Sequence, residues 1–159
     1  GGFTLVRSYS PLDIIKLNTP SDLYATVVHP QIEVKTSDAR KVLRISVPLK
    51  KAVMQWGNVG GLVAGLYRED YELIGRSLQD VIVEPIRSML IPGFDQVKAE
   101  SLKAGALGCS ISGSGPSIFA LSKGKETAEK VKKAMGDVYK NFGIDYNIHL
   151  SKVNPNGAQ

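Results

Sequence analysis

Gly105-Ala-Leu-Gly-Cys-Ser-Ile-Ser-Gly-Ser-Gly-Pro-Ser-Ile-Phe-Ala-Leu121 is the stretch that decides how this chain folds. Gly105 closes a helix, glycine being the usual residue just past a helix C-terminus. Cys109, Ser110, Ile111 and Ser112 alternate as a half-buried strand does, and Ser117 to Leu121 make a second short apolar run. Between them Gly113-Ser114-Gly115-Pro116 is too small and flexible to pack, and it sits where a hairpin must turn. The turn has two readings. It is either a plain glycine hairpin, or a place where bare amides and the hydroxyls of Ser112 and Ser114 meet an anion at close range. Spacing does not choose between them.

Two common phosphate loops are excluded. A Walker A loop needs Lys after its last glycine, and Gly113, five residues after Gly108, is followed by Ser114. A dinucleotide fingerprint needs a third glycine where Ile118 stands.

Downstream of the hairpin, Lys125 to Phe142 reads as a helix with Ala128, Val131, Met135, Val138 and Phe142 on its core stripe and Gly143 ending it. Tyr146 to Val153 alternates as a final strand. Upstream, Phe3 to Arg7, Leu12 to Leu17 and the β-branched Leu23 to Val28 read as strands. From Leu49 to Tyr67, apolar residues at 49, 52, 53, 56, 59, 63, 66 and 67 predict a long core helix, whose Gly57, Gly61 and Gly65 admit a close neighbour. Tyr71 to Leu78 and Asp95 to Ala104 are further helices. The order predicts an α+β fold: a ferredoxin-like split β-α-β-β-α-β unit, its antiparallel sheet covered by helices on one face, with additional helices inserted early.

Two arginines stand in odd places. Thr36-Ser37-Asp38-Ala39-Arg40 reads as a helix start capped by Thr36 or Ser37, with Val42 and Leu43 turned inward. Pro85 is favoured at a first helical position, which puts Arg87 in the first turn of a short helix. A cation there opposes the helix dipole. One such arginine can snorkel to solvent. Two beside free helix amides suggest a pocket for a carboxylate or phosphate.

The bulk numbers set bounds. At 159 residues the chain is one domain with a core of its own. Its 43% hydrophobic and 22% charged content is that of a soluble globular protein. The single cysteine, Cys109, favours a reducing, cytoplasmic setting. No apolar run is long enough for a membrane span, and no secretory leader is read. The net charge of +5 suits an anionic substrate. It does not suit nucleic acid, because Lys123, Lys125, Lys130, Lys132 and Lys133 are interleaved with Glu126, Glu129 and Asp137 and lack stacking aromatics. His29 and His149 are too few and too isolated for a metal site. The chain opens on Gly1-Gly2-Phe3 rather than Met, and the expectation is a piece of a longer polypeptide.

Ser112 to Ala120 resembles, position for position, the third signature motif of the GHMP kinase superfamily of small-molecule kinases, G-x-x-x-S-G-[SA]-G-P-[ST]-x-[FY]-A. His29-Pro30-x-Ile32-x-Val34-x-Thr36-x-x-Ala39-Arg40 is similar to a segment of homoserine kinases, as is Asp80-Val81-Ile82-x-Glu84-Pro85-x-Arg87-x-x-Leu90-Ile91-Pro92-Gly93-Phe94. The resemblance runs from Gly1 to Gly157 and is to the C-terminal half of that family. It implies one domain over residues 1–159, with 1–20 as a candidate tail of a preceding N-terminal domain. It implies Thr36, Arg40 and Arg87 as substrate ligands, the guanidinium groups gripping the homoserine carboxylate. It makes Ser112, Gly113, Ser114, Gly115 and Pro116 a loop bordering the active site and bracing nucleotide phosphates. The activity implied is transfer of the ATP γ-phosphoryl group to the side-chain hydroxyl of L-homoserine, in threonine biosynthesis.

The family's main ATP loop, P-x-x-x-G-L-G-S-S-A, does not occur in these residues. ATP and Mg²⁺ are therefore expected to be held mainly by an N-terminal half, no catalytic residue or metal ligand is assigned here, and this chain alone is expected to fold without turning over. A homodimer is left open, and the charge pattern and the lack of a long apolar run lead to the expectation of no nucleic-acid and no membrane partner. Two rivals remain open: a kinase for another small alcohol of the mevalonate type, and a non-catalytic ferredoxin-like amino-acid-binding module. The first does not explain Arg40 and Arg87; the second does not explain the Ser-Gly-Ser-Gly-Pro loop.

Overall fold

The structure is a computed structural model, and it describes residues 2–33, 42–43 and 46–157. Among the described residues six strands are seen: β1 (Thr4–Tyr9), β2 (Leu12–Lys16), β3 (Leu23–Pro30), β4 (Gly108–Ile111), β5 (Ile118–Lys123) and β6 (Tyr146–Lys152). The helices are α1 (Leu49–Arg68), α2 (Tyr71–Ser77), α3 (Glu84–Arg87), α4 (Phe94–Lys103) and α5 (Lys125–Phe142), with a 3₁₀ turn at Ser88–Leu90. The expected helix around Thr36 to Arg40 lies outside the described residues.

Four strands form one antiparallel sheet in the order β4-β5-β3-β6, the strand order of a split β-α-β-β-α-β unit. Central β3 pairs with β5 on one side and β6 on the other, so Val27 stands opposite both Phe119 and His149. The β4–β5 hairpin is in the register Cys109↔Ala120 and Ile111↔Ile118, which leaves residues 112 to 117 as its loop. Strand β3 runs through His29 and Pro30, two residues beyond the sequence expectation, because β6 offers Asn147 and Tyr146 as partners there.

Strand alternation sends side chains to two faces, and both are covered. On one face Val28, Ile118 and Ala120 pack with Val97 of α4 and with Val131, Met135 and Tyr139 of α5. On the other, Leu23 and Leu121 pack with Leu66 of α1, Ile74 of α2 and Leu17 beyond β2. This corrects the expectation of helices on one face only. The inserted helices cover the second face, which the β5 run Phe119, Leu121 exposes as apolar surface. Each Val, Leu, Ile or Met fully removed from water here contributes about 1.5–3 kcal/mol. The surface pairs along α5, such as Lys130–Glu126, add little by comparison.

On two helices the buried stripe is narrower than the apolar spacing predicts. Along α1, Leu66 is buried, but Leu49, Val53, Trp56 and Tyr67 are exposed. That helix is apolar nearly all round, so periodicity cannot say which side meets the sheet. On α5, Ala128, Val131, Met135 and Val138 are buried as expected, while Phe142 is exposed and Tyr139 takes an interior place instead. Gly65 does what its spacing implied: a Cβ there would stand 2.9 Å from Ile74 Cγ1 and 3.0 Å from the Ile74 amide nitrogen, so glycine admits α2. Asp70 caps α2 by accepting from the Leu73 amide at 2.9 Å.

Candidate active site

The site is built from α3 and the loop between β4 and β5. Three amides at the start of α3 are taken by one side chain. Asp80 Oδ1 accepts from Ile82 and Val83, both at 2.8 Å, and Oδ2 accepts from Glu84 at 3.2 Å. This corrects the expectation that Arg87 stands beside free helix amides. The amides beside it are not open to an outside anion, and Arg87 is the last of the four residues of α3 rather than a first-turn residue facing bare N–H groups. Pro85 occupies the second helical position, not the first.

Arg87 nonetheless reaches the loop: its Nη1 donates to the Gly113 carbonyl oxygen at 3.1 Å. The loop is closed by two internal bonds, Ser112 N–H to Ser117 O at 2.8 Å and Gly115 N–H to Ser112 O at 3.1 Å. Among the described residues, the amides of Gly113 and Ser114 donate to no backbone acceptor. Gly115 has φ +82°, and a Cβ there would lie 2.9 Å from Ile91 Cδ1; only glycine meets both conditions at ease. Gly113 has φ +63° with open space around it. Ser112 and Gly113 are exposed and Pro116 is buried, so the loop rests on its C-terminal side and offers its tip to solvent.

Three further residues hold this corner together. Glu84, only 8% exposed, pairs with Lys98 of α4 and accepts from Ser110 Oγ of β4 at 2.6 Å. At the far end of the loop, His29 Nδ1 and Ser117 Oγ share a hydrogen bond of 2.8 Å, which ties the loop to the end of β3. Within β4, burial pushes the Cys109 thiol up to about 12, which disfavours the thiolate that a nucleophile needs. A cavity of about 350 Å³ lies on the other side of α3, between Val47, Pro48, Lys51, Ile82, Ile86 and Met89; Arg87 and the loop do not line it.

The structure therefore brings Arg87 together with Ser112, Gly113, Ser114, Gly115 and Pro116. Thr36 and Arg40 lie outside the described residues. The sequence reading missed Asp80, Glu84, Lys98, Ser110 and the His29–Ser117 pair. Asp80 had a usable signal, an acidic residue shortly before Pro85, as a capping side chain would be. Glu84 and Lys98 are fourteen residues apart, and no local spacing rule joins them.

The site tolerates phosphate better than metal. Two loop amides without backbone acceptors are suited to an anion. The carboxylates do not suit Mg²⁺, because Asp80 is engaged by three amides and Glu84 by Lys98 and Ser110. Among the described residues no group of His, Cys, Asp and Glu is arranged to hold a metal ion. Nor is any described helix long and apolar enough to cross a membrane.

Residues 62–141 match the family described as GHMP kinases C terminal, and the chain belongs to that family. Within it, the chain is similar to homoserine kinases. It is 58% identical over 139 residues to that of Chlorobium phaeobacteroides, covering 87% of this chain and 43% of the relative. To that of Chloroherpeton thalassium it is 53% identical over 160 residues, covering 100% and 50%. The crystal structure of homoserine kinase from Cytophaga hutchinsonii superposes with a TM-score of 0.96 at 60% identity, over 98% of this chain and 49% of that one. The chain spans about half the length of the curated relatives it matches. The crystal structure of L. major mevalonate kinase shares the fold at 16% identity and a TM-score of 0.71.

Proposed function

We propose that this chain is the C-terminal, substrate-binding part of a homoserine kinase, an ATP-dependent enzyme that phosphorylates the side-chain hydroxyl of L-homoserine on the route to threonine. The observation that carries the reading is the contact between Arg87 and Gly113, which sets a cation suited to an amino-acid carboxylate against a loop with amides suited to phosphate. Identity above half to homoserine kinases over most of the chain favours that substrate over a mevalonate-type alcohol and over a non-catalytic module.

In this reading Arg87, with Thr36 and Arg40, grips the homoserine carboxylate and amino-acid backbone. The Gly113 and Ser114 amides brace the phosphates of ATP. Transfer then rests on positioning and on charge neutralisation around the moving phosphoryl group. ATP supplies that group, and the side chains here orient its acceptor. Neither Asp80 nor Glu84 is offered to Mg²⁺, so metal binding falls to the rest of the enzyme. The β1–β2 hairpin is assigned to that other half as well: among the described residues it pairs with no strand of the main sheet and it exposes Val6, Tyr9, Leu12 and Ile14, and an isolated hairpin is marginal alone. A cytoplasmic setting and, if a dimer forms, a homodimer complete the reading.

The test is steady-state phosphorylation by the full-length enzyme carrying Arg87→Leu. The expected result is a KM for homoserine raised about tenfold to a hundredfold, from loss of a charged hydrogen bond, with the KM for ATP little changed. Wild-type constants for homoserine would overturn the assignment.

A further inference from the structure

Glu84 carries a role that the binding reading does not use. Its side chain is buried, and its two carboxylate oxygens go to different elements: Oε1 to Lys98 of α4, Oε2 to the Ser110 hydroxyl of β4 at 2.6 Å. Ser110 lies two residues before the Ser112 to Pro116 loop, and Arg87 lies three residues after Glu84 on the same helical turn. Arg87 then closes a ring by donating to Gly113 O at 3.1 Å. The ring runs from Glu84 across to β4, along the chain into the loop, back through Arg87, and down α3 to Glu84.

Stability does not account for this arrangement. Desolvating a carboxylate and an ammonium costs about as much as their pairing returns, and apolar residues of the same shape often hold a core as well or better. What apolar contacts lack is direction. Helix α3 has only four residues, too few to fix its own orientation. Two hydrogen bonds from its first side chain to separate elements set both its rotation and its register against β4. We propose that Glu84 is a positioning residue: through Ser110 and Lys98 it fixes α3 on β4 and α4, so that Arg87 meets the loop and the substrate carboxylate at one distance. This rests on the reading of Arg87 as a carboxylate ligand. Glu84 itself touches no substrate.

The test uses the full-length enzyme with four changes: Glu84→Leu together with Lys98→Met, which leaves no unpaired charge; Ser110→Ala; Arg87→Leu; and the first pair combined with Arg87→Leu. The expected result for the Glu84/Lys98 pair is a thermal midpoint at or above wild type, with kcat/KM for homoserine lowered about tenfold to a hundredfold by a small displacement of Arg87, mostly through KM. Ser110→Ala should shift KM the same way by less. In the Arg87→Leu background the pair should add nothing, since residues acting through one another are not additive. Unchanged homoserine KM in the pair or in Ser110→Ala would overturn the inference, as would a full additional loss in the Arg87→Leu background. Those outcomes leave the substrate reading standing. A wild-type enzyme that ignores homoserine would remove the reading and the inference together.

Discussion

Arg87 and Gly113, twenty-six residues apart in sequence, are joined by a hydrogen bond from Nη1 to the carbonyl oxygen at 3.1 Å. Nη1 belongs to a planar guanidinium fork that carries five N–H donors. The planar fork can hold the loop and a carboxylate at once, whereas a lysine is a single point charge. Arg87→Lys should therefore behave almost as badly as Arg87→Leu in homoserine KM. A lysine variant within about twofold of wild type, where a charged hydrogen bond is worth roughly tenfold or more, would mean that charge alone suffices.

The two loop glycines should respond differently to alanine. Gly113→Ala meets open space and suffers only its left-handed backbone, at about 1–2 kcal/mol. Gly115→Ala suffers the same strain and adds a Cβ 2.9 Å from Ile91 Cδ1, so it should cost more in urea unfolding. Equal losses at the two positions would contradict the packing described for Ile91.

Tyr139 is fully buried, and among the described residues its hydroxyl has no hydrogen-bond partner. An unsatisfied buried hydroxyl costs about 1–3 kcal/mol. Tyr139→Phe should thus keep the core and raise the thermal midpoint by about 2–4 °C for each kcal/mol recovered. A drop in midpoint would reveal a partner for that hydroxyl.

Burial pushes both the Cys109 thiol and the Tyr139 phenol up to about 12. Unfolded, they titrate near about 8.5 and about 10. From about pH 8.5 to about 12 the unfolded chain therefore binds fewer protons than the folded one, so stability is whole below that window and falls as pH rises through it. Chemical denaturation across pH 8 to 11 should show this fall, and Cys109→Ala should flatten it. Native Cys109 should also resist an alkylating reagent that labels it readily in urea. Fast labelling without urea would mean that β4 opens on its own.

Much of the frame was legible because it rests on local pattern. Gly105 to Leu121 announced a hairpin, and β4 and β5 sit within a residue or two of where alternation put them. Helix α5 announced its core side through Ala128, Val131 and Met135. The covering of the second sheet face was not legible. Leu66 and Ile74 meet Leu23 and Leu121 across long separations, and α1 is apolar on more than one side. The site divided the same way. The loop could be read from its glycines, but the Glu84–Lys98–Ser110 network could not, since its members are paired by the fold alone. The helix-dipole argument for Arg87 does not hold in the structure. Asp80 takes the amides at the start of α3, and the Arg87 guanidinium lies beside Gly113.

The most direct test is the substrate preference of the full-length enzyme, measured as ATP-dependent phosphorylation of L-homoserine and of mevalonate side by side. The expected result is turnover of homoserine, little or none of mevalonate, and a homoserine KM that rises in both Arg40→Leu and Arg87→Leu. Preferred turnover of mevalonate, or a homoserine KM untouched by either substitution, would contradict it.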